Sequence, residues 1–174
     1  MIHLTEADYT SQPWKNGRGT TTELFRIARD RQVLVRISRA AVAEDGPFST
    51  FPGLDRSLTV LSGPGFRLTG EGLDLRCDAL VPVAFAGDLP VTAVETGGAQ
   101  SEDLNVMTAR FLARPQVTVE RAGSRLEKGG LIALYALGPV QAGDRAMAPG
   151  DLVLTRDPVG IAGDWPVIAV RLAI

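Results

Sequence analysis

Polar and aromatic side chains are concentrated in one segment near the start of the chain, residues 13–24. Trp14, Lys15 and Asn16 place an aromatic ring, an ammonium and an amide side by side, ahead of two glycines and three threonines. Such donors hold anionic or amide groups, and glycines let the backbone approach a ligand closely. The segment therefore predicts a binding site. The alternative is a glycine turn with solvated polar residues.

A second polar group lies in a strand-like segment, residues 33–38. Arg36 and Ser38 share one face of that strand, opposite Val35 and Ile37. If both faces are covered, Arg36 points its guanidinium into a cavity, where a buried charge needs a partner or an anionic ligand. The alternative, which periodicity alone slightly favours, is an arginine on the solvent face.

The segment 45–56 predicts a stiff loop with aromatic anchors. It carries two prolines and two glycines around Phe48, Ser49 and Phe51, and it ends at Asp55 and Arg56. The two phenylalanines form either the rim of a pocket or a connection tucked into the core. Asp55 and Arg56 form an ion pair with each other, or the Arg56 guanidinium binds the carboxylate of a ligand.

A third polar strand face is expected further along the chain. Asp103, Asn105 and Met107 alternate with apolar residues and so share one face. An acid and an amide beside a methionine are more typical of a binding wall than of a core. Asp88 is a further candidate, although an ordinary turn is the simpler interpretation of Gly87 and Asp88.

Metal and covalent chemistry find little support in this sequence. The chain has one histidine, His3, and one cysteine, Cys77, so a two-histidine metal site or a thiolate cluster is excluded. No histidine stands near Cys77 in the sequence to activate it, and no phosphate-binding glycine loop is present. We predict no metal, no cofactor and no catalytic residue.

Composition bounds the class of protein. The 174 residues are 45% hydrophobic and 22% charged, which is typical of a globular protein. With 18 basic and 20 acidic residues the net charge is −2, and no basic stripe is interleaved with aromatics, so nucleic-acid binding is not expected. No membrane span or signal-peptide pattern is present. A single cysteine fits a reducing compartment, and the predicted localisation is cytoplasmic.

The elements that must position these residues are short strands. Alternating or apolar runs separated by glycine and proline turns recur from residue 33 to residue 172, and at most short helical turns are expected, around 40–43 or 108–113. The pattern predicts an all-β fold of the jelly-roll kind. The chain is longer than one minimal roll needs.

Taken together, these groups resemble the HutD/Ves family. The resemblance covers about the first two-thirds of the chain, and beyond residue 111 only the strand-like character is shared. Arg18 is a departure, because the family often has a small residue between the two glycines. The matching segments are Trp14-Lys15-Asn16-Gly17 with Gly19, Thr20 and Glu23, Arg36-Ile37-Ser38, Gly46-Pro47-Phe48-Ser49, Phe51-Pro52-Gly53, Asp55-Arg56, Phe85 with Gly87-Asp88, and Asp103 with Asn105-Val106-Met107.

The resemblance implies a cupin-type jelly-roll barrel, arranged as a bicupin in one domain of residues 1–174. Residues 1–110 would form a ligand-bearing roll and 111–174 a structural roll, with strands exchanged between them. It also implies a cytoplasmic protein linked to histidine utilisation, or to stress response in the Ves branch; the sequence does not decide between the branches.

Resemblance and residues together predict a metal-free protein that binds a small carboxylate, such as formylglutamate, urocanate or formate, and modulates histidine utilisation. A homodimer is one option for its assembly. The predicted ligand-binding residues are Trp14, Lys15, Asn16, Thr20, Glu23, Arg36, Ser38, Phe48, Ser49, Phe51, Arg56, Asp88, Asp103, Asn105 and Met107.

Two alternatives stay open at this stage. One is a metal-free isomerase or hydrolase acting on a small carboxylate, with Lys15, Glu23, Asp88 and Asp103 as acid–base groups. The other is a protein-interaction module in stress response. No motif in the sequence supports it.

Overall fold

The computed structural model describes residues 1–14 and 19–174. The predictions for Lys15 and Asn16, and the departure at Arg18, lie outside the described residues. Within that part of the chain the structure is built from strands, with one short 3₁₀ helix at Glu6–Asp8. No helix in the same ranges is long and apolar enough to cross a bilayer.

The strands follow the short apolar runs and the glycine and proline turns of the sequence. In chain order they are β1 (Ile2–Leu4), β2 (Thr10–Pro13), β3 (Thr20–Arg29), β4 (Gln32–Val42), β5 (Gly46–Pro47), β6 (Leu54–Ser62), β7 (Phe66–Gly70), β8 (Leu73–Cys77), β9 (Val83–Ala86), β10 (Val91–Val94), β11 (Ser101–Ala109), β12 (Gln116–Glu120), β13 (Arg125–Leu126), β14 (Leu131–Ala136), β15 (Val140–Ala142), β16 (Arg145–Met147), β17 (Leu152–Thr155), β18 (Val159–Ala162) and β19 (Val167–Leu172).

One of the expected helical turns is absent. The structure continues β4 through the expected turn at 40–43 as far as Val42, which pairs with Ser101. The other expected turn is present in part, because the amide of Leu112 donates to the carbonyl of Ala109 at 2.8 Å just after β11 ends. Small residues such as alanine do not resist either conformation, so cross-strand pairing decides the first case.

The chain forms two compact units. The middle unit is Thr10–Leu112, and the terminal unit combines Met1–Tyr9 with Ala113–Ile174. The middle unit has one sheet in the order β2-β3-β4-β11-β6-β9 and another in the order β5-β10-β7-β8. The terminal unit has sheets β1-β17-β14-β19-β12 and β13-β18-β15-β16. The strand pairs within these sheets are antiparallel.

Strand register in the middle unit aligns the polar residues. Asn105 on β11 lies between Ser38 on β4 and Leu58 on β6, and Met107 lies between Arg36 and Arg56 on the same two strands. Paired residues in an antiparallel sheet share a face. The polar positions of three strands that are distant in sequence are therefore gathered on one face of the sheet.

The middle unit also contains a large apolar cluster. Side chains from both of its sheets form a buried cluster, against which the partly buried ring of Phe48 packs. Phe48 also lies 5.9 Å from Phe66, centroid to centroid, in a tilted arrangement. The cluster consists of Val42, Leu58, Val60, Phe66, Leu68, Cys77, Phe85, Val91 and Ala93.

The terminal unit encloses an apolar cluster of its own, built from β13 to β19. The first strand of the chain belongs to this unit, since β1 pairs with β17. A side-chain contact adds to this pairing, because His3 Nε2 lies 2.7 Å from Oδ2 of Asp151, the residue just before β17. The cluster consists of Leu126, Ile132, Leu134, Ala136, Val140, Ala142, Met147, Val153, Val159, Ile161, Val167 and Ala169.

Candidate functional site

A cavity of about 650 Å³ lies within the middle unit. Its wall comes from one face of β4, β6 and β11, from the loop between β4 and β6, and from the end of β2 with Trp14. The volume falls in the range of small-molecule sites. Its lining residues are Gln12, Pro13, Trp14, Thr21, Arg36, Ser38, Ala40, Val42, Ala43, Glu44, Asp45, Gly46, Pro47, Phe48, Ser49, Phe51, Arg56, Asp103, Asn105 and Met107.

The most unusual feature of this cavity is the buried guanidinium of Arg56, which is 5% exposed. Its Cζ lies 5.5 Å from the centroid of Phe48, 5.2 Å from Phe51 and 4.9 Å from Phe85. Phe85 faces it because β9 pairs with β6 in that register. Three aromatic rings around one cation stabilise its charge through their quadrupoles and shield it from water.

Hydrogen bonds fix the Arg56 guanidinium in orientation. Nη2 donates to Asn105 Oδ1 at 2.7 Å, and Nη1 donates to the Ser49 carbonyl at 3.2 Å. Its Nε has no hydrogen-bond partner among the described residues. Burial lowers the pKa of Arg56 to about 10, which still leaves it a cation at neutral pH. Neither hydrogen-bond acceptor carries a charge.

Asn105 connects Arg56 to a buried acid. The Asn105 side-chain amide donates to Asp103 Oδ1, so Arg56, Asn105 and Asp103 form one hydrogen-bonded chain. Asp103 is 0% exposed, and its Oδ2 has no partner within residues 1–14 and 19–174. Burial raises the pKa of the Asp103 carboxyl to about 7, against the opposing influence of Arg56 and of the hydrogen bond from Asn105.

Arg36 is already neutralised within the middle unit. Its Nε donates to Glu23 Oε2 at 2.8 Å, across the β3–β4 pair. Its Cζ also lies 5.8 Å from the Phe51 ring centroid. The side chain is 18% exposed, so the interpretation of Arg36 as a solvent-facing residue is wrong. Arg36 borders the cavity as one half of an ion pair.

The tryptophan of the first segment is held by its own hairpin. Trp14 Nε1 donates to Thr21 Oγ1 at 2.8 Å, and the Trp14 amide donates to the Gly19 carbonyl at 2.8 Å. A Cβ at Gly19 would lie 2.8 Å from the indole ring, so only glycine fits beneath the ring at this point. Gly19 therefore allows the Trp14 ring to pack closely against the backbone, at its position on the cavity wall.

A network outside the cavity anchors the loop that carries Phe51. Asp88 Oδ1 accepts from the Gly53 amide at 2.9 Å, and Arg110 donates to Asp88 and, at 3.3 Å, to Asp55. The Phe51 amide donates to the Gly87 carbonyl at 2.7 Å. These contacts lower the pKa of Asp88 and keep it ionised. They place Phe51 over the Arg56 guanidinium.

The cavity brings together most of the predicted ligand-binding residues that the structure describes, and it leaves three of them elsewhere. Thr20 is exposed, Glu23 is the partner of Arg36, and Asp88 belongs to the loop anchor. Those that line the cavity are Trp14, Arg36, Ser38, Phe48, Ser49, Phe51, Arg56, Asp103, Asn105 and Met107.

Sequence reasoning missed part of the wall. Ala40 and Val42 continue the alternation of Arg36 and Ser38 along β4, so period-two spacing alone could have found them. Glu44 and Asp45 carry no such signal, because they lie in the loop. Asp45 Oδ1 accepts from the amide and, at 2.7 Å, from the hydroxyl of Thr96, and only the folded chain brings these residues together.

The donor set does not suit a protein-bound metal. The chain has one histidine, and His3 belongs to the terminal unit. No group of three His, Cys, Asp or Glu side chains within the described ranges is placed to hold an ion. Cys77 is buried, and burial raises the pKa of its thiol to about 11, so it is not a thiolate at neutral pH.

Known proteins of similar sequence include Protein Ves of Cronobacter sakazakii. It is 35% identical over 138 residues, which cover 78% of this chain and 76% of that protein. An uncharacterised 21.2 kDa protein of Pseudomonas putida, from the hutC 3′ region, is 40% identical over 120 residues, covering 65% of this chain and 62% of that protein.

Solved structures of similar fold match over nearly the whole chain. A conserved protein of unknown function from Pseudomonas aeruginosa PAO1 matches with a TM-score of 0.86 at 26% identity, over 99% of this chain and 98% of that one. HutD from Pseudomonas fluorescens SBW25, in a formate condition, matches at 0.85 and 23% identity, over 98% of each chain. A cupin 2 conserved barrel domain protein from Leptotrichia buccalis matches at 0.59 and 8% identity, over 94% and 91% of the two chains.

These matches settle the class of the fold and the family. The all-β architecture is cupin-like, because proteins with little sequence identity share it over nearly the whole chain. The HutD family model matches residues 6–160, which is most of the sequence. The chain therefore belongs to the HutD family, with Ves proteins among its relatives.

Proposed function

We propose that this protein binds a small carboxylate in the cavity of the middle unit, without a metal, and thereby modulates histidine utilisation. The observation that carries the proposal is Arg56, a buried cation whose hydrogen-bond acceptors are neutral and whose Nε is unpartnered among the described residues. A buried charge is costly unless it is paired. A carboxylate ligand supplies the missing countercharge.

The charge balance of the wall supports an anionic ligand. Glu23 offsets Arg36, and the raised pKa of Asp103 leaves that carboxyl about half ionised at neutral pH and uncharged well below it. When Asp103 is protonated, Arg56 has no full countercharge beside it among the described residues. Charge-assisted hydrogen bonds of this kind contribute about 1.5–3 kcal/mol each, enough with the aromatic wall for roughly micromolar affinity.

The pathway and the domain arrangement are also proposed. The location of the P. putida relative in the hutC 3′ region supports a link to histidine breakdown and, with it, candidate ligands such as formylglutamate, urocanate and formate. The similarity to Ves proteins leaves the stress-response branch as the alternative. We further propose that each compact unit is one cupin roll, so that the chain is a bicupin with a ligand-bearing and a structural roll.

Calorimetric titration with N-formyl-L-glutamate, urocanate and formate tests the binding proposal. We expect one of them to bind the wild-type protein, and both Arg56→Met and Arg36→Ala to weaken that binding. Arg67→Ala is the matched control, because Arg67 is an arginine of the same unit that pairs with Asp74 at the surface. Absence of binding by all three ligands, or equal affinity in the Arg56 variant, would refute the assignment of the cavity.

An enzyme acting on the same carboxylate is the second candidate. Asp103 supports it, because an acid whose pKa lies near neutrality suits general acid–base catalysis. Asp88, another predicted acid–base group, is absent from the described lining of the cavity. NMR of the three ligands incubated with protein would reveal turnover, and binding without turnover over a day would remove this candidate.

A further inference from the structure

The hydrogen-bonded chain of Arg56, Asn105 and Asp103 leaves Asp103 Oδ2 without a hydrogen-bond partner among the described residues. Asp103 Oδ1 accepts from the Asn105 amide, while Oδ2 is buried and has no partner within the described part of the chain. A carboxylate oxygen in that position is expensive to keep ionised. Asp103 also borders the cavity, so a molecule inside the cavity is available to complete its hydrogen bonding.

Two kinds of ligand atom could meet Oδ2. An N–H or O–H donor would bind the ionised carboxylate, whereas a ligand carboxylate would accept a hydrogen bond from the protonated acid. Arg56 favours the second kind, because its Nε has no partner among the described residues and can donate to an acceptor in the same cavity. A ligand carboxylate serves both groups when one of its oxygens faces Arg56 and the other faces a protonated Asp103.

We infer that the cavity captures a carboxylate together with a proton, with Asp103 as the carboxylic acid that donates to the bound anion. This inference rests on the proposed carboxylate function. The hydrogen bond that results joins a neutral acid to a carboxylate, one of the shorter and stronger kinds. It also removes the repulsion that an ionised Asp103 would exert on the ligand.

Several charged groups act on Asp103 in the middle unit. Arg56 opposes protonation, whereas Glu102 on the same strand favours it. The pKa of Asp45 is lowered by its bonds to Thr96, so that residue stays ionised. The other charged or titratable side chains that border the cavity or pack against this region are Arg36 with its partner Glu23, Glu44 and Cys77.

The pH dependence of affinity follows from the position of this titration. With the pKa of Asp103 at about 7 in the free protein, the protonated fraction falls about tenfold between pH 6 and pH 8. Formate and N-formyl-L-glutamate keep their carboxylates ionised over that range. Affinity for them is therefore expected to fall about tenfold over the same interval, and binding at pH 8 is expected to take up nearly one proton.

Calorimetry in two buffers of different ionisation enthalpy measures both quantities on the wild-type protein, with N-formyl-L-glutamate and formate as probes. Asp103→Asn is the informative variant, because its amide keeps an acceptor for Asn105 and places a permanent donor at the position of Oδ2. Its affinity is expected to change less than about twofold with pH and to equal that of the wild type at pH 6. Asp74→Asn is the control and should retain the tenfold dependence, because Asp74 pairs with Arg67 at the surface and does not line the cavity.

The outcomes separate this inference from the proposed function. Binding with no proton uptake at pH 8, or binding that tightens as pH rises, overturns proton capture and leaves carboxylate binding intact. No binding of either probe at pH 6 overturns both. A tenfold pH dependence that persists in Asp103→Asn assigns the proton to another group and also refutes the inference. A wild-type measurement alone decides the first question, whether or not the variant folds.

Discussion

Both units have an apolar cluster in the interior, and they differ in what else the interior contains. In the terminal unit, facing strands bury residues such as Ile132, Leu134 and Val153 in an apolar cluster. In the middle unit, one sheet face also buries a cation, an amide and an acid at Arg56, Asn105 and Asp103. Apolar packing stabilises the first unit, while the second keeps a polar cavity whose atoms are partly unsatisfied. Buried polar atoms without partners lower stability, and such a cost is typical of sites that bind ligands.

The largest effect that distinguishes the two units is expected in the terminal core. Leu134 is 0% exposed, so Leu134→Ala removes close-packed methyl groups and leaves a cavity. We expect a loss of about 2–5 kcal/mol in the free energy of unfolding, measured by chemical denaturation. Ligand affinity of the molecules that remain folded should be unchanged. A loss under about 1 kcal/mol would show that this interior is not tightly packed.

The opposite pattern is expected for Arg56→Met. Methionine replaces the apolar stem of the side chain but not the guanidinium, so the variant removes a buried charge and leaves Asn105 Oδ1 and the Ser49 carbonyl without that donor. Since these two effects oppose each other, we expect a smaller change in stability than for Leu134→Ala. Affinity for the carboxylate should fall by about 10- to 150-fold, since a charge-assisted hydrogen bond contributes about 1.5–3 kcal/mol. Calorimetry and thermal denaturation measure the two effects. A strong loss of stability with intact binding would contradict the expectation that Arg56 contributes to ligand binding more than to stability.

The stability of the ligand-free protein should depend on pH because the pKa of Asp103 is raised by folding. Its pKa is raised in the folded state from 3.8 to about 7, so the folded state binds more protons than the unfolded state between these values. Stability contributed by this group is present below about pH 4 and is lost as pH rises through 7. Asp103→Asn, which does not ionise, should therefore raise Tm at pH 8 by roughly 8–15 °C relative to its effect at pH 4. An identical effect at both pH values would contradict the raised pKa.

The loop anchor provides the smallest predicted effect. Asp88→Ala removes the acceptor of the Gly53 amide and a partner of Arg110, and so loosens the loop that carries Phe51. Because Asp88 lies at the surface, we expect only about a twofold loss of ligand affinity, seen as faster dissociation in surface plasmon resonance. A loss as large as that of Arg56→Met would place Asp88 in the binding site itself.

Local periodicity predicted the strand faces of the site. Alternation along the chain put Arg36 beside Ser38, and Asp103 beside Asn105, and the cavity wall contains these residues. It could not show that Asn105 lies opposite Ser38, because that depends on pairing between strands far apart in sequence. The short cross-strand contacts of Arg56 were hidden for the same reason.

The sequence did not predict which side chains contact one another across the site. Phe48 and Phe51 were expected either at a pocket rim or in the core, and the structure assigns both roles, since each borders the cavity and packs against an apolar cluster. The neutralisation of Arg36 by Glu23 follows from the register of β3 and β4. A stretch of sequence contains no signal for such a pair.

The most direct test of the account is a crystal structure of the wild-type protein with N-formyl-L-glutamate at a saturating concentration, grown near pH 6. We expect a ligand carboxylate in the cavity of the middle unit, with one oxygen about 2.7–3.2 Å from an Arg56 nitrogen and the other within about 2.5–3.0 Å of Asp103 Oδ2. An unliganded cavity, or a carboxylate bound away from Arg56, would contradict it.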